Sequence, residues 1–215
     1  MARSMRADAR RNLDQILLAA RDMIAEHGPD VPLDDIARRA GVGSATLYRR
    51  FPDRGALHRA VAAEAMSKTV EAAQRAEDIE SDAFEALARY LRDALELRVS
   101  AVLPMLLDVV DLQHDPEIGP LREASRKAVE RLIERVHAAG ALPHDVVFAD
   151  IATMLVRIAR PLPGPLPAET KHELARRHLD LFLRGLRALG SATSGPRPAE
   201  GEAPAGGAEH GEHRT

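Results

Sequence analysis

At 215 residues the chain is long enough for one large domain or two small ones. It is 45% hydrophobic but only 3% aromatic, with no Trp and no Cys, which excludes disulfides, zinc ribbons, thiolate nucleophiles and iron–sulfur ligation and fits a reducing cytosol. The formal net charge of −3 argues against nucleic acid on average, yet residues 1–60 hold eleven Arg against eight Asp or Glu, so a mildly basic N-terminal module sits on an acidic body.

A core with so few rings is built from Leu, Ile, Val, Met and Ala, and the good helix formers among them predict an all-α fold of about nine helices. Residues 1–11, with Arg3, Arg6, Arg10 and Arg11, read as a basic arm; no apolar run follows them, so a secretory signal is not expected. Leu13, Ile16, Leu17, Ala20 and Ile24 recur at helical spacing until Gly28-Pro29 stops the first helix. Leu33 to Ala40 is a second, short helix. Gly41-Val42-Gly43 is a turn, and Ser44 to Phe51 is a third helix ended by Pro52. Asp53 is a suitable N-cap for a long fourth helix reaching about Ala76.

Phe84, Leu87, Leu91 and Leu95 mark the fifth helix. Val102 to Leu112 is the sixth, with Pro104 expected in its first turn, where proline is tolerated. The seventh runs from Leu121 to Ala139 and is closed by Gly140. In Val146–Ala159 only Asp150, Thr153 and Arg157 are not apolar; the stretch is too short and too polar to span a bilayer but apolar enough to need cover on several sides. In the ninth helix Ala175, Leu179, Phe182, Leu186 and Leu189 form one stripe, and Leu181 and Leu183 add a second flank. One flank meets the chain's own core and the other is assigned to a second copy. The expected homodimer contacts are Ile151, Met154, Leu155, Ile158, Leu179, Phe182 and Leu186. Residues 191–215 contain five Gly and three Pro and too few apolar residues to fold, so they read as a disordered tail, with His210 and His213 solvated rather than ligating.

A short helix, a Gly-containing turn and a second short helix form the helix-turn-helix pattern. Ile36, Ala37 and Ala40 supply the apolar contact and the small residue near the turn, and Gly41 tolerates positive φ. Val42, Leu47 and Phe51 supply the inner face of the second helix. Its outer face begins small, at Ser44 and Ala45, so that the helix end can enter a major groove. It continues with the donors Thr46, Tyr48, Arg49 and Arg50, followed by Arg54.

The run from Asp35-Ile36-Ala37 through Tyr48-Arg49-Arg50-Phe51-Pro52 to Leu57, with Ile16-Leu17-Leu18-Ala19-Ala20 before it, resembles the signature of the tetracycline-repressor (TetR) family over about fifty residues. The resemblance implies a DNA-binding domain at residues 12–58, a helical regulatory and dimerisation domain at 59–190, and a cytoplasmic, nucleoid-associated bacterial repressor. Its partners would be an inverted repeat in double-stranded DNA, a second copy of the chain and a small apolar effector, with no membrane. Ser44, Ala45 and Arg49 fall where the family reads base edges; Thr46, Tyr48, Arg50 and Arg54 fall where it grips phosphates. Pro32 and Gly43 stand where the family often has backbone-contacting hydroxyls, and Asp34 can only accept a hydrogen bond. The basic arm at 3–11 is expected to compensate in the adjacent minor groove. An effector pocket is expected among Phe84, Leu87, Leu91, Met105, Leu106, Val109 and Val110, with Tyr90, Asp108 and His114 as polar members.

Two other classes of function compete with this one. The His residues are scattered, with no HExxH, GxSxG or phosphate-binding glycine loop, so an enzyme has no recognisable setting, and no cofactor or metal is expected. A helical adaptor that no longer binds DNA is the alternative, and the Tyr48–Arg54 surface argues against it.

Overall fold

The computed structural model describes residues 2–107 and 115–193. Nine helices occur among them: α1 Ala2–His27, α2 Leu33–Arg39, α3 Ser44–Arg50, α4 Arg54–Ile79, α5 Ala83–Glu96, α6 Val99–Leu107, α7 Ile118–Ala138, α8 Phe148–Ala159 and α9 Ala168–Thr193. The all-α fold is as the composition predicts, and the local start and stop signals act at the expected positions. Asp53 caps α4 by accepting from the Ala56 N–H at 2.7 Å, and Asp82 caps α5 by accepting from Glu85 N–H at 2.8 Å. Gly140, at φ +65°, ends α7.

Three boundaries differ from the sequence reading. Residues 2–11, expected as a basic arm, are the start of α1; the segment holds no Gly or Pro, and its Ala and Arg residues favour continuation of the helix. Pro104 lies in the second turn of α6 rather than the first, because that helix already begins at Val99. The early start follows from Arg98, which adopts φ +55° between α5 and α6 and accepts with its carbonyl from the Ala101 and Val102 N–H groups. Residues 191–193, expected as the start of the disordered tail, continue α9; the rest of the tail reading, beyond Thr193, lies outside the described residues.

Two apolar cores are threaded by α4. One gathers Ile16, Ile24, Ile36, Leu47, Phe51 and Leu57 from α1–α4, and it also takes in Ala101, Val102 and Leu106 of α6. The other gathers Leu87 and Leu91 of α5, Leu132 and Val136 of α7, and Leu179 and Leu186 of α9. Between them, α4 buries Ala62, Ala65, Ala72, Ala73 and Ala76 completely. These small side chains let α7 lie close along it. Tyr90 is buried with its hydroxyl bonded to that of Thr69, and burial holds its phenol well above the ordinary value.

At the far end, α9 passes directly over the turn that follows α7. A Cβ at Gly190 would collide with the Ala141 carbonyl, which belongs to backbone and cannot swing aside. Gly190→Ala is therefore expected to destabilise the body by roughly 1–3 kcal/mol through overpacking, even though alanine is the better helix former. Urea denaturation of the two proteins measures it, and an equal or higher midpoint for the alanine variant would contradict this packing.

Candidate nucleic-acid interface

The interface is built from the short elements α2 and α3. The turn between them is closed by Gly41, at φ +68°, with Ala40 N–H donating to Ile36 O at 2.9 Å and Val42 N–H to Ala37 O at 3.0 Å. Leu47 and Phe51 are buried against the α1 and α2 residues of the first core. With that face fixed, the helical repeat turns the opposite one outward. Ser44, Ala45, Tyr48, Arg49 and Arg50 are exposed and Thr46 is half-buried. Neither Arg49 nor Arg50 is in an ion pair among the described residues, whereas Arg38 on α2 is held by Asp35 at 2.9 Å. The surface can thus offer two free guanidinium groups, one phenol and the small start of a helix to an anionic, grooved partner. Gly43 is the N-cap of α3 and provides no side-chain cap; Pro32 and Asp34 are exposed at the start of α2.

Arg54 is placed otherwise than expected. Its Nη1 donates to the carbonyls of Pro29 at 2.9 Å and Val31 at 2.6 Å. The α1–α2 loop leaves these carbonyls without helical partners, and such groups take a side-chain donor when one is near. One turn along α4, His58 Nε2 donates to the same Pro29 carbonyl at 3.1 Å. Arg54 is therefore a brace for the loop behind the recognition surface. The Arg54/His58 spacing of four, opposite the Gly28-Pro29 stop, was the available sequence signal.

His58 is only 4% exposed, and burial pushes its imidazole below the ordinary value, outweighing the opposing pull of the Pro29 carbonyl; nearby Arg54 lowers it further and Asp30 raises it. The unfolded chain then binds the proton more readily than the folded one. Stability from this group is complete above the ordinary imidazole value of about 6.5 and is lost as pH falls below it. We expect His58→Gln, which keeps a donor for Pro29, to flatten the decline in melting temperature between neutral and mildly acidic pH. An unchanged decline would mean another group carries it.

The described residues named for the effector pocket divide between the two cores. Phe84, Leu87, Tyr90 and Leu91 fill the second core, while Leu106, with Met105 against it, belongs to the first. The turn at Arg98 sends α6 toward α1 and so separates the two groups. Val109, Val110, Asp108 and His114 lie outside the described residues. The expected dimer residues divide as well. Ile151, Leu155, Leu179 and Leu186 are buried within the single chain, while Met154 is 39% exposed and Ile158 and Phe182 are half-buried. The exposed large apolar residues on or bordering α8 and on α9 are Val147 at 48%, Met154, Leu181 at 52% and Leu189 at 52%. No described helix is long and apolar enough to cross a membrane.

Residues 16–61 match the family of bacterial regulatory proteins called tetR, and residues 82–188 match the C-terminal domain of SbtR-like transcriptional regulators. The fold resembles the TetR transcriptional regulator SCO0520 of Streptomyces coelicolor at 32% identity and a TM-score of 0.59, over 81% of this chain and 97% of that one. It also resembles a TetR transcription regulatory protein of Mycobacterium vanbaalenii at 31% identity and a TM-score of 0.58, over 85% and 99%. The HTH-type transcriptional repressor LfrR of Mycolicibacterium smegmatis is 32% identical over 123 residues, 56% of this chain; the match spans only 62% of that repressor's length.

Proposed function

We propose that this chain, which belongs to the tetR family of bacterial regulatory proteins, is a cytoplasmic repressor that binds an inverted DNA repeat as a homodimer and is released by a small molecule. The observation that carries this reading is the outward face of α3, where Ser44, Ala45, Tyr48, Arg49 and Arg50 stand exposed on a helix pinned by Leu47 and Phe51. Ser44 and Ala45 admit the helix end to the groove. Arg49 reads a base edge, with the guanine O6/N7 edge as its natural partner. Tyr48, Thr46 and Arg50 fix the register on phosphates. Arg54 is left out of this set, since its guanidinium is engaged by the α1–α2 loop.

We assign α1–α3 and the first half of α4 to the DNA-reading head, and the second half of α4 with α5 and α7–α9 to the body. The second copy docks on the outward face of α8 and α9, through Val147, Met154 and Leu181, flanked by Ile158 and Phe182. An inverted repeat calls for two reading helices held a helical turn apart, and a homodimer supplies the two. Release by a small molecule is supported by the LfrR relative, which has been crystallised in complex with proflavine.

Selection of binders from a random duplex library at low salt, where phosphate contacts are strongest, tests the reading. Enrichment of an inverted repeat is the expected result. No enrichment, also after unfolding and refolding to strip any bound ligand, would move the assignment to a helical adaptor.

A further inference from the structure

A cavity of about 230 Å³ opens where α1, α5, α6, α8 and α9 converge. Its space comes from short side chains: Ala25, Ala101, Ala159 and Ala175, from α1, α6, α8 and α9, all face it. Ala25 and Ala101 are buried members of the first core, so this wall is apolar and backed by packed structure. Leu95, Pro161 and Leu166 extend the apolar lining, and the charged residues of the cavity are mostly cations. Arg98, Arg160 and Lys171 line the cavity, and Glu26 is the one carboxylate among the lining residues. His172, also on the wall, is already engaged by Glu96 at 3.1 Å.

Arg98 ties this cavity to the reading head. Its backbone is in the left-handed region at the α5–α6 turn, a conformation costly for a residue with a Cβ. Its guanidinium reaches across to α1, with Nη1 2.9 Å from Glu26 Oε1 and Nε 3.7 Å from Asp22 Oδ1. On one side of this contact α1 carries Ile16, Leu17 and Ile24 into the core on which α3 is seated. On the other, Ala101, Val102 and Leu106 of α6 enter the same core. An acid placed in the cavity would face a guanidinium whose present partner is another carboxylate on the cavity wall.

We propose that this cavity is the effector site and that it takes an amphipathic organic anion, an apolar body bearing one carboxylate. The apolar body lies on the alanine wall. The carboxylate meets Lys171, whose Nζ otherwise donates to the Gly164 carbonyl at 3.0 Å, and draws Arg98 away from Glu26, which loosens α1 from the α5–α6 turn and shifts the head. This inference rests on the operator-binding reading for its consequence, but not for the binding itself.

Octanoate and 1-octanol, equal in chain length and different in charge, are the probes, titrated calorimetrically into the full chain. Octanoate is expected to bind roughly tenfold more tightly, the worth of one charge-assisted contact. Lys171→Gln and Arg98→Gln should each remove most of that preference and leave 1-octanol unchanged. Glu26→Gln should tighten octanoate severalfold, because it removes the competitor for Arg98. Lys171 is half-exposed, lies on α9 and takes no part in the Arg98–Glu26 pair, so its variant decides the matter if Arg98→Gln fails to fold. Equal affinity for the two probes, no binding of either, or octanoate binding indifferent to Lys171 overturns the site. Operator binding is then followed with and without octanoate. Weaker operator binding in octanoate, and in Glu26→Gln alone, is expected; octanoate bound with the operator fully retained overturns the coupling through Arg98. If the untreated protein binds no operator, the functional reading fails, while calorimetry still decides the cavity.

Discussion

Arg49→Ala is expected to lower affinity for the selected inverted repeat by roughly ten- to a hundredfold and to relax preference at one base position in each half-site. The estimate follows from a bidentate arginine–guanine contact, which discriminates by about 1–3 kcal/mol, with about 1.4 kcal/mol per tenfold in affinity. Arg49 is exposed on α3, outside the core that holds Leu47, so the substitution leaves the helix seated. Tyr48→Ala should act differently. Its phenol is a neutral donor, 44% exposed; removing it should weaken all sequences alike and leave the salt slope unchanged. Arg50→Ala should also weaken all sequences, but with a shallower slope of log K against log salt, by about 0.9 for each phosphate no longer neutralised. Fluorescence anisotropy on matched and single-substituted duplexes at several salt concentrations separates the three. If Arg49→Ala weakens every duplex equally, base reading belongs to another residue.

Leu181→Glu is expected to convert the proposed dimer to monomers and to abolish tight operator binding while leaving the fold of each chain intact. Leu181 is 52% exposed in the single chain, so a charge there costs the monomer little. In a two-fold interface the same patch meets itself, and the substitution places two carboxylates in or beside one apolar contact. Without the second head, affinity falls to that of one half-site. Leu179→Ala is the counterpart: that side chain is 1% exposed inside the body core, and truncating it should cost about 2–5 kcal/mol of stability. Sedimentation velocity and thermal melting distinguish the two variants. A Leu181→Glu protein that remains dimeric would move the interface away from this face of α9.

Much of the reading head was legible because its determinants are local. Gly28-Pro29, Gly41 and Pro52 punctuate the chain, Asp53 caps the next helix, and Leu47 and Phe51 fix which way α3 faces. Knowing the buried face of a seven-residue helix is enough to name its exposed one, and so Ser44, Ala45, Tyr48, Arg49 and Arg50 could be assigned from their spacing. The hold of Arg54 on the α1–α2 loop was not legible, for the opposite reason. Its partners, the carbonyls of Pro29 and Val31, are more than twenty residues away in sequence, and backbone carbonyls leave no trace in residue identity.

The body divides along the same line. The sequence by itself determined that it is helical, that α8 and α9 carry more apolar surface than one core contact requires, and that α4 is continuous through both parts of the molecule. It did not determine which stripe of α8 and α9 faces inward. Both stripes are apolar, so hydrophobicity alone does not choose between Leu179 and Leu181; the choice is made by the shape of α5 and α8 against which α9 lies. Tertiary structure alone also decided the course of α6. A single residue, Arg98, held at positive φ and bound to Asp22 and Glu26, turns that helix into the head's core. That turn separates the residues expected to share a pocket and leaves a cavity elsewhere, walled by alanines from four helices. Periodicity records which residues are buried. Which of them meet is set by long-range packing, and there the pattern of any one helix is silent.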